Sequence, residues 1–321
     1  MRKPTLKDVA RLAGVSTATV SYAVNKTRSV SPRSREKIEA AIRQLGYQPN
    51  LAARSFKSGK RNTIGFIVPD IANLYFSVII EEIEAVLASK DMNLIVANTK
   101  EDPERELKQV GALSNGLVDG LIIAPAGDQY DVLAQLLPDR FPVVLIDRSI
   151  PGCGLDQVLI ESQAAMQKGV SHLVDEGHRR IGFIADQAHI HTAQQRVKEF
   201  EKSCISSGIS PDPALIRHIT AEDSSVRRHT LDLIENGCTA IVAGNNMITA
   251  ELVSFALNQH YEGNTPLQIL GYHCGEWYAW LPFLKMISVP AREMGRLAAN
   301  RLLKRMTDPD LPAQKNFLSC R

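Results

Sequence analysis

The sequence predicts a mixed α/β chain, with a small all-α head of helix-turn-helix type joined to a two-lobed, Rossmann-like body. Three observations carry this expectation. Residues 1–61 hold 14 Lys and Arg against only Asp8, Glu36 and Glu39, a net of +11, whereas the remainder carries a net of −9. Near the N-terminus two short apolar-periodic segments hinge on Gly14-Val15 in "LKDVARLAGVSTATVSYAVN". Beyond residue 61, short apolar runs alternate with amphipathic helical stretches, and the pattern restarts midway.

The head is read as three helices. Thr5 caps the first, with Asp8 three residues on completing a capping-box arrangement and complementing the helix dipole. Leu6, Val9, Ala10 and Ala13 give its buried stripe. Gly14 permits the reversal, and Val15 anchors the turn. Ser16 caps the second helix, whose Val20 and Val24 face inward. Ser31-Pro32 opens the third, which buries Ile38, Ala41, Ile42 and Leu45 and ends at Gly46. The second helix carries an unusual load of small polar residues: Ser16, Thr17, Ala18, Thr19 and Ser21, followed by Tyr22. Such residues make a poor core. They suit a recognition helix whose N-terminal end enters the major groove, where bulk would hold the backbone away from the base edges. A basic head on an acidic body is the electrostatic footprint of a nucleic-acid-binding module joined to something else.

The stretches "TLKDVARLAGVSTATVS", "VSPRSREKIEAAIRQLGYQPN" and "LAARSFKSGKRNTIGFIVPDIANLYF" closely resemble the LacI family of bacterial repressors, and a weaker resemblance runs to the C-terminus. The resemblance implies that the segment of about 50–57 forms a hinge helix on operator DNA, capped by Asn50. Phe56 stands where the family usually places a minor-groove leucine wedge, a role Phe also fills. Tyr22 stands where many members carry a guanine-reading arginine, and Tyr makes no bidentate pair with guanine. The residues expected to meet DNA are therefore Thr5, Ser16, Thr17, Ala18, Thr19, Ser21, Tyr22, Asn25, Ser31, Asn50, Arg54, Phe56 and Lys57. The partners expected are double-stranded operator DNA and a second copy of the chain.

In the body, "TIGFIVP", "NLIVAN", "DGLIIAP" and "VVLID" read as buried parallel strands, and "RIGFIAD", "AIVAG" and "LQILGY" repeat the pattern. The expected division is a DNA-binding domain of residues 1–60 and a sensor domain of 61–321. Its first lobe spans about 61–160 and 289–310; its second spans about 161–288 with the C-terminal end. In open α/β sheets, ligands bind at the carboxyl ends of the strands. That rule nominates Asp70 to Phe76, Asp147-Arg148, Asp186 to Arg196, Asn245-Asn246 and His273 to Trp277.

The resemblance implies a periplasmic-binding-protein-like sensor with one small molecule between its lobes. It selects Asn73, Phe76, Asp147, Arg148, Arg196 and Asn245 as effector contacts, and the stretch after the last strand adds His273, in place of a cleft acid, and Trp277 as a stacking face. This chain departs from the family's pattern at several of these strand ends. The usual "ND" is Asn245-Asn246, "DN" is Glu161-Ser162, and "GFDD" becomes Gly271-Tyr272-His273-Cys274. Exchanging an acid for His273, beside Arg148, Arg196 and His189 or His191, gives the expected pocket positive character. A sugar acid is therefore the favoured effector, with a neutral sugar or a nucleobase as alternatives. A solute-binding protein without a regulatory role is the remote one.

Other classes are excluded on composition and spacing. No apolar run approaches the roughly 18 residues that span a bilayer. The N-terminal "MRKPTLKDVA" has no apolar segment of a secretory signal behind it, so a cytoplasmic protein is expected. Five scattered cysteines lack any C-x-x-C pair, which argues against a disulfide framework or zinc site. His189-x-His191 has too few partners for a metal, and "SGKRNT" lacks the setting of a P-loop. No nucleophile, base and orienting acid assemble, so neither an enzyme nor a cofactor is expected. The tail "NFLSCR" carries no leucine heptad for a tetramerising extension.

Overall fold

The computed structural model describes residues 4–25, 28–48, 60–220, 223–261, 267–275 and 281–321, with backbone alone at 25 and 259–261. The chain divides into two compact units, residues 1–61 and 62–321. Asn50, Arg54, Phe56 and Lys57, and with them the expected hinge helix, lie outside the described residues, as do Trp277 and the side chain of Asn25.

The head contains α1 (Leu6–Ala13), α2 (Thr17–Asn25) and α3 (Pro32–Leu45). The capping box at Thr5 forms in full: the Asp8 amide donates to Thr5 Oγ1, and the Thr5 amide donates to Asp8 Oδ2 at 2.9 Å. Gly14 ends α1 in the left-handed region at φ 66°, where a Cβ would be strained, and the Val15 amide reaches back to the Ala10 carbonyl at 3.1 Å. Ser16 Oγ accepts the Thr19 amide to open α2, and Ser31 with Pro32 opens α3. Val9, Ala10, Ala13, Val20, Ile38 and Ala41 close the core of this unit, with Leu6, Val15, Val24, Ile42, Leu45 and Tyr47 packed around them.

The body alternates strand and helix. In chain order it runs β1 (Thr63–Val68), α4 (Leu74–Ala88), β2 (Asn93–Asn98), α5 (Pro103–Ser114), β3 (Leu121–Ile123), α6 (Tyr130–Gln135), β4 (Val143–Asp147) and β5 (Asp156–Glu161). It continues with α7 (Gln163–Asp175), β6 (Ile181–Ala185), α8 (His191–Ser206), β7 (Ile216–His218), α9 (Val226–Glu235), β8 (Ala240–Ala243), α10 (Asn246–Tyr261) and β9 (Gln268–His273). The last elements are β10 (Leu284–Ser288), α11 (Ala291–Thr307) and β11 (Lys315–Ser319). Two parallel sheets result, with orders β11-β5-β4-β3-β1-β2 and β10-β9-β8-β6-β7. Central strands β1, β3, β4, β6 and β8 are buried nearly end to end, as expected of parallel strands covered on both faces.

The chain passes between the lobes after β5 and again after β10. The C-terminal strand corrects the expected division. β11 pairs along its length with β5, so it belongs to the first lobe's sheet rather than the second lobe. The last residue reaches across: Arg321 and Ser288 exchange backbone hydrogen bonds of 2.8 and 3.1 Å. The strand fills the open edge beside β5, a position no local pattern in "NFLSCR" announces. Helix α11 lies tightly on α4; a Cβ on Gly295 would stand 2.8 Å from the Ile79 carbonyl oxygen.

One buried ionic cluster ties these closing elements together. The Asp156 carboxylate is fully buried and meets Arg301 at 2.8 Å and Arg305 at 3.0 Å, and it accepts the Gln314 amide at 2.9 Å. Removing one member of such a cluster leaves buried charge uncompensated. Asp156→Ala is expected to lower unfolding stability by about 3 kcal/mol, read as a lower urea midpoint, while Arg105→Ala, in an exposed ion pair, is expected to shift it by less than about 1 kcal/mol.

Candidate effector cleft and DNA-reading face

The carboxyl ends of both sheets face one cleft with a cavity of about 450 Å³, within the range that encloses a small molecule. Of the expected effector contacts, the cleft brings together Asn73, Phe76, Asp147, Arg148, Arg196, Asn245 and His273. His189 and His191 do not join them: both are exposed and neither lines the cavity, because α8 turns Ile190, Thr192 and Ala193 toward it instead.

The floor is set by a strained turn. Asp147 ends β4 at φ 64°, a region non-glycine residues rarely adopt, and the Arg148 amide closes back on the Ile146 carbonyl at 2.6 Å. Strain of this kind is held in place by surrounding structure and gathers at functional sites. Here Tyr75, from the first turn of α4, donates its hydroxyl to Asp147 Oδ1 at 2.9 Å. Burial and the neighbouring carboxylate push the Tyr75 phenol well above its usual range, so it remains a donor.

Arg148 corrects the expected electrostatics. Its guanidinium is clamped by Glu101 through two hydrogen bonds of 2.5 and 2.7 Å and also donates to the Pro125 carbonyl at 3.1 Å. Burial opposes its charge, but the Glu101 carboxylate more than offsets that and raises its pKa. A guanidinium so paired gives the cleft no net positive character. The cavity is also lined by Asp70, Asp186 and Glu251, so carboxylates outnumber guanidiniums in the described lining.

Arg196 stands differently. It projects from α8 with its guanidinium 4.1 Å over the Tyr272 ring, donates Nη1 to the Gly244 carbonyl at 2.7 Å, and keeps part of its surface open to the cleft. Among the described residues it makes no ion pair. Tyr272 is fully buried, and its hydroxyl donates to Ser162 Oγ at 3.2 Å; Ser162 in turn donates to Glu199.

Several nominated groups are already engaged within the protein. Asn245 accepts the Ile248 amide at 2.8 Å, opening α10, and donates Nδ2 to Asp186 Oδ2 at 2.7 Å. Asn73 Oδ1 caps α4 by accepting the Tyr75 amide at 3.0 Å. His273 holds Gly275 through its Nδ1. Phe76 is almost wholly buried, edge-on to Tyr75, so little of its ring faces the cavity. Glu101 lies outside every stretch that the sequence nominates, and Tyr75 falls within Asp70 to Phe76 without being selected. Asp186 was nominated by its place directly after β6 but not selected.

In the head, Thr17 and Ala18 are exposed on the first turn of α2, beside the exposed cap Ser16. Thr19 Oγ1 lies 2.8 Å from Ser16 Oγ, and Ser21 and Tyr22 are half-buried. Tyr22 carries the Arg28 guanidinium 5.1 Å over its ring. The hydroxyls of Thr5 and Ser31 are held in caps at the starts of α1 and α3.

Residues 5–50 match the model of "Bacterial regulatory proteins, lacI family", and residues 61–315 match that of "Periplasmic binding proteins and sugar binding domain of LacI family". The chain belongs to the LacI family. It is a DNA-binding transcriptional repressor of that family and not an enzyme. It is 31% identical over 319 residues to the HTH-type transcriptional repressor PurR of Haemophilus influenzae, a match covering 97% of this chain and 94% of that one. Among solved structures it is similar to the Lac repressor bound to ONPG in its repressed state, with a TM-score of 0.84 and 25% identity over 100% of this chain and 98% of that one. A putative ribose operon repressor from Burkholderia thailandensis matches with a TM-score of 0.70 and 28% identity, covering 81% of this LacI-family chain and 98% of that one.

Behind the cleft, Glu106 of α5 accepts the Ala126 amide at 2.6 Å and fixes the loop that carries Pro125 against Arg148. Burial raises the Glu106 carboxyl to about 7, although the backbone donors oppose the shift. The folded state therefore holds this proton more tightly than the unfolded chain does, and stability falls as pH rises from about 4.5 through 7. Glu106→Gln is expected to flatten that fall, leaving the variant about 3 kcal/mol more favoured relative to wild type at pH 8 than at pH 4.5. Urea unfolding at the two pH values reads the difference.

Proposed function

We propose that residues 1–60 read a palindromic operator as a homodimer in the cytoplasm, while residues 61–321 sense a small polyhydroxylated effector bearing one anionic group, a sugar acid before a neutral sugar. In the head, Thr17, Ala18 and Tyr22 carry base preference, with Ser16, Thr19, Ser21, Asn25, Arg54 and Lys57 serving the backbone, and Phe56 acts as the minor-groove wedge. The net charge of +11 in residues 1–61 supplies the phosphate-binding field.

The single observation that supports an anionic group is Arg196. Of the two guanidiniums in the described lining, Arg148 is spent on Glu101 and Arg196 faces the cavity without an ion pair. A carboxylate there replaces water with a charge-assisted hydrogen bond. Asp147 and Asp186 supply acceptors for hydroxyl groups, and this favours a polyol over a flat, apolar ligand.

Calorimetry of the full chain against sugar acids, the matching neutral sugars and purine bases tests the reading. A sugar acid is expected to bind more tightly than its neutral partner, and Arg196→Gln is expected to weaken it by roughly 10- to 100-fold, the scale of a hydrogen bond to a charged group. A neutral sugar or purine binding more tightly, undiminished by Arg196→Gln, would overturn the anionic assignment and leave the DNA-binding role intact.

A further inference from the structure

Two asparagines meet across the mouth of the cleft. Asn73 precedes α4 in the first lobe, Asn246 begins α10 in the second, and Asn246 Nδ2 donates to Asn73 Oδ1 at 2.7 Å. Both side chains are half-buried, and both line the cavity. The direction of this bond is fixed by local structure. Asn73 Oδ1 already accepts the Tyr75 amide at 3.0 Å as the cap of α4, so this end of Asn73 is committed to accepting. Whatever faces it from the other lobe must therefore donate.

That requirement accounts for one departure noted in the sequence. The pattern this chain resembles places an acid at position 246, and an acid suits the first turn of a helix by complementing its dipole. A carboxylate there would set acceptor against acceptor at Asn73 Oδ1, and would reach a proton only by leaving that atom for the Asn73 Nδ2 amide. Asparagine gives up the favourable helix-end charge and gains the amide donor.

We infer that Asn73 and Asn246 form a clasp that holds the two lobes together at the mouth of the cleft, so that opening the clasp is a step in admitting the effector. In this role the residues act by positioning the lobes. This goes beyond the effector assignment and does not depend on it, because the bond runs between two residues of the protein itself.

The donor–acceptor logic makes the two positions unequal. Asn73→Asp keeps the clasp, because a carboxylate there still caps α4 and still accepts from Asn246. Asn246→Asp abolishes the donor and opens it. Asn246→Ala removes the bond without adding repulsion.

Hydrogen–deuterium exchange of the full chain without effector separates these cases, read on peptides spanning residues 70–78, in the lobe opposite position 246. Relative to wild type, exchange there is expected to be unchanged in Asn73→Asp, faster by about 2- to 10-fold in Asn246→Ala, the range of one net hydrogen bond, and faster still in Asn246→Asp. A purely local effect of Asn246→Asp would strengthen the helix that carries it and leave the facing lobe unmoved. Thermal midpoints equal to wild type show that each variant is folded; a lowered midpoint with the same rank order of exchange among the three variants still supports the clasp. Wild-type exchange at 70–78 in Asn246→Asp, or equal loss of protection in Asn73→Asp and Asn246→Asp, would overturn it.

Discussion

A guanidinium set into a low-dielectric cleft needs a partner, and among the described residues Arg196 meets a carbonyl and an aromatic face but no carboxylate in an ion pair. The remaining charges of the cleft are arranged so that this one is left over. Glu101 takes Arg148, Tyr75 takes one oxygen of Asp147, and Asn245 takes one oxygen of Asp186. Burial works against the Arg196 charge, and the Asp147 field behind it is among the influences that sustain it. On the proposed reading, a ligand carrying its own charge or hydroxyls would complete what the protein leaves unfinished. Satisfying such a group on binding is how a pocket converts polar contacts into specificity.

The fold makes that arrangement possible with few connections. Each lobe is a parallel sheet whose strands end at the cleft, so side chains distant in sequence converge there from β1, β4, β6, β8 and β9. The chain passes between lobes after β5 and after β10, and the C-terminal Arg321 is stitched to Ser288 beside the second passage. Ser162 sits just after the first passage and receives the Tyr272 hydroxyl, while Tyr272 bears the Arg196 guanidinium. Contiguous contacts thus run from the first passage, through Tyr272, to the Arg196 guanidinium in the cleft. The head is built separately around its own small core and keeps its small polar residues on the outside.

The elements were legible where local chemistry decides them. Thr5 with Asp8, Gly14, Ser31-Pro32 and Gly46 act within a few residues of themselves, and the structure places each as the sequence implies. The strand-end rule found Asp147, Asp186 and Arg196 because parallel sheets leave their polar residues there. What the sequence did not reveal was pairing at a distance. Glu101 lies 47 residues from Arg148 and is brought to it by a turn in which Lys100 and Glu101 both have positive φ. No pattern in "NTKEDPE" marks such a turn. Asn245 lines the cavity as the sequence suggests, but the sequence does not show that its two ends are engaged by Ile248 and Asp186. His189 and His191 read as neighbours of the cleft until the structure leaves both exposed, His189 in the loop before α8 and His191 at its first position. The same limit applies to β11, whose place beside β5 is fixed by an open sheet edge about 150 residues away, a separation no local pattern can report.

A repressor that senses a metabolite must couple its two units energetically, and that coupling is reciprocal by thermodynamic necessity. The most direct measurement is a linkage cycle on the full chain: operator affinity with and without saturating effector, and effector affinity with and without operator, at one salt concentration. The expected result is a change in operator affinity of about 5- to 150-fold in either direction, matched by the same factor in effector affinity. An effector that occupies the Arg196 cleft, with binding lost in Arg196→Gln, yet leaves operator affinity unchanged would contradict the central claim.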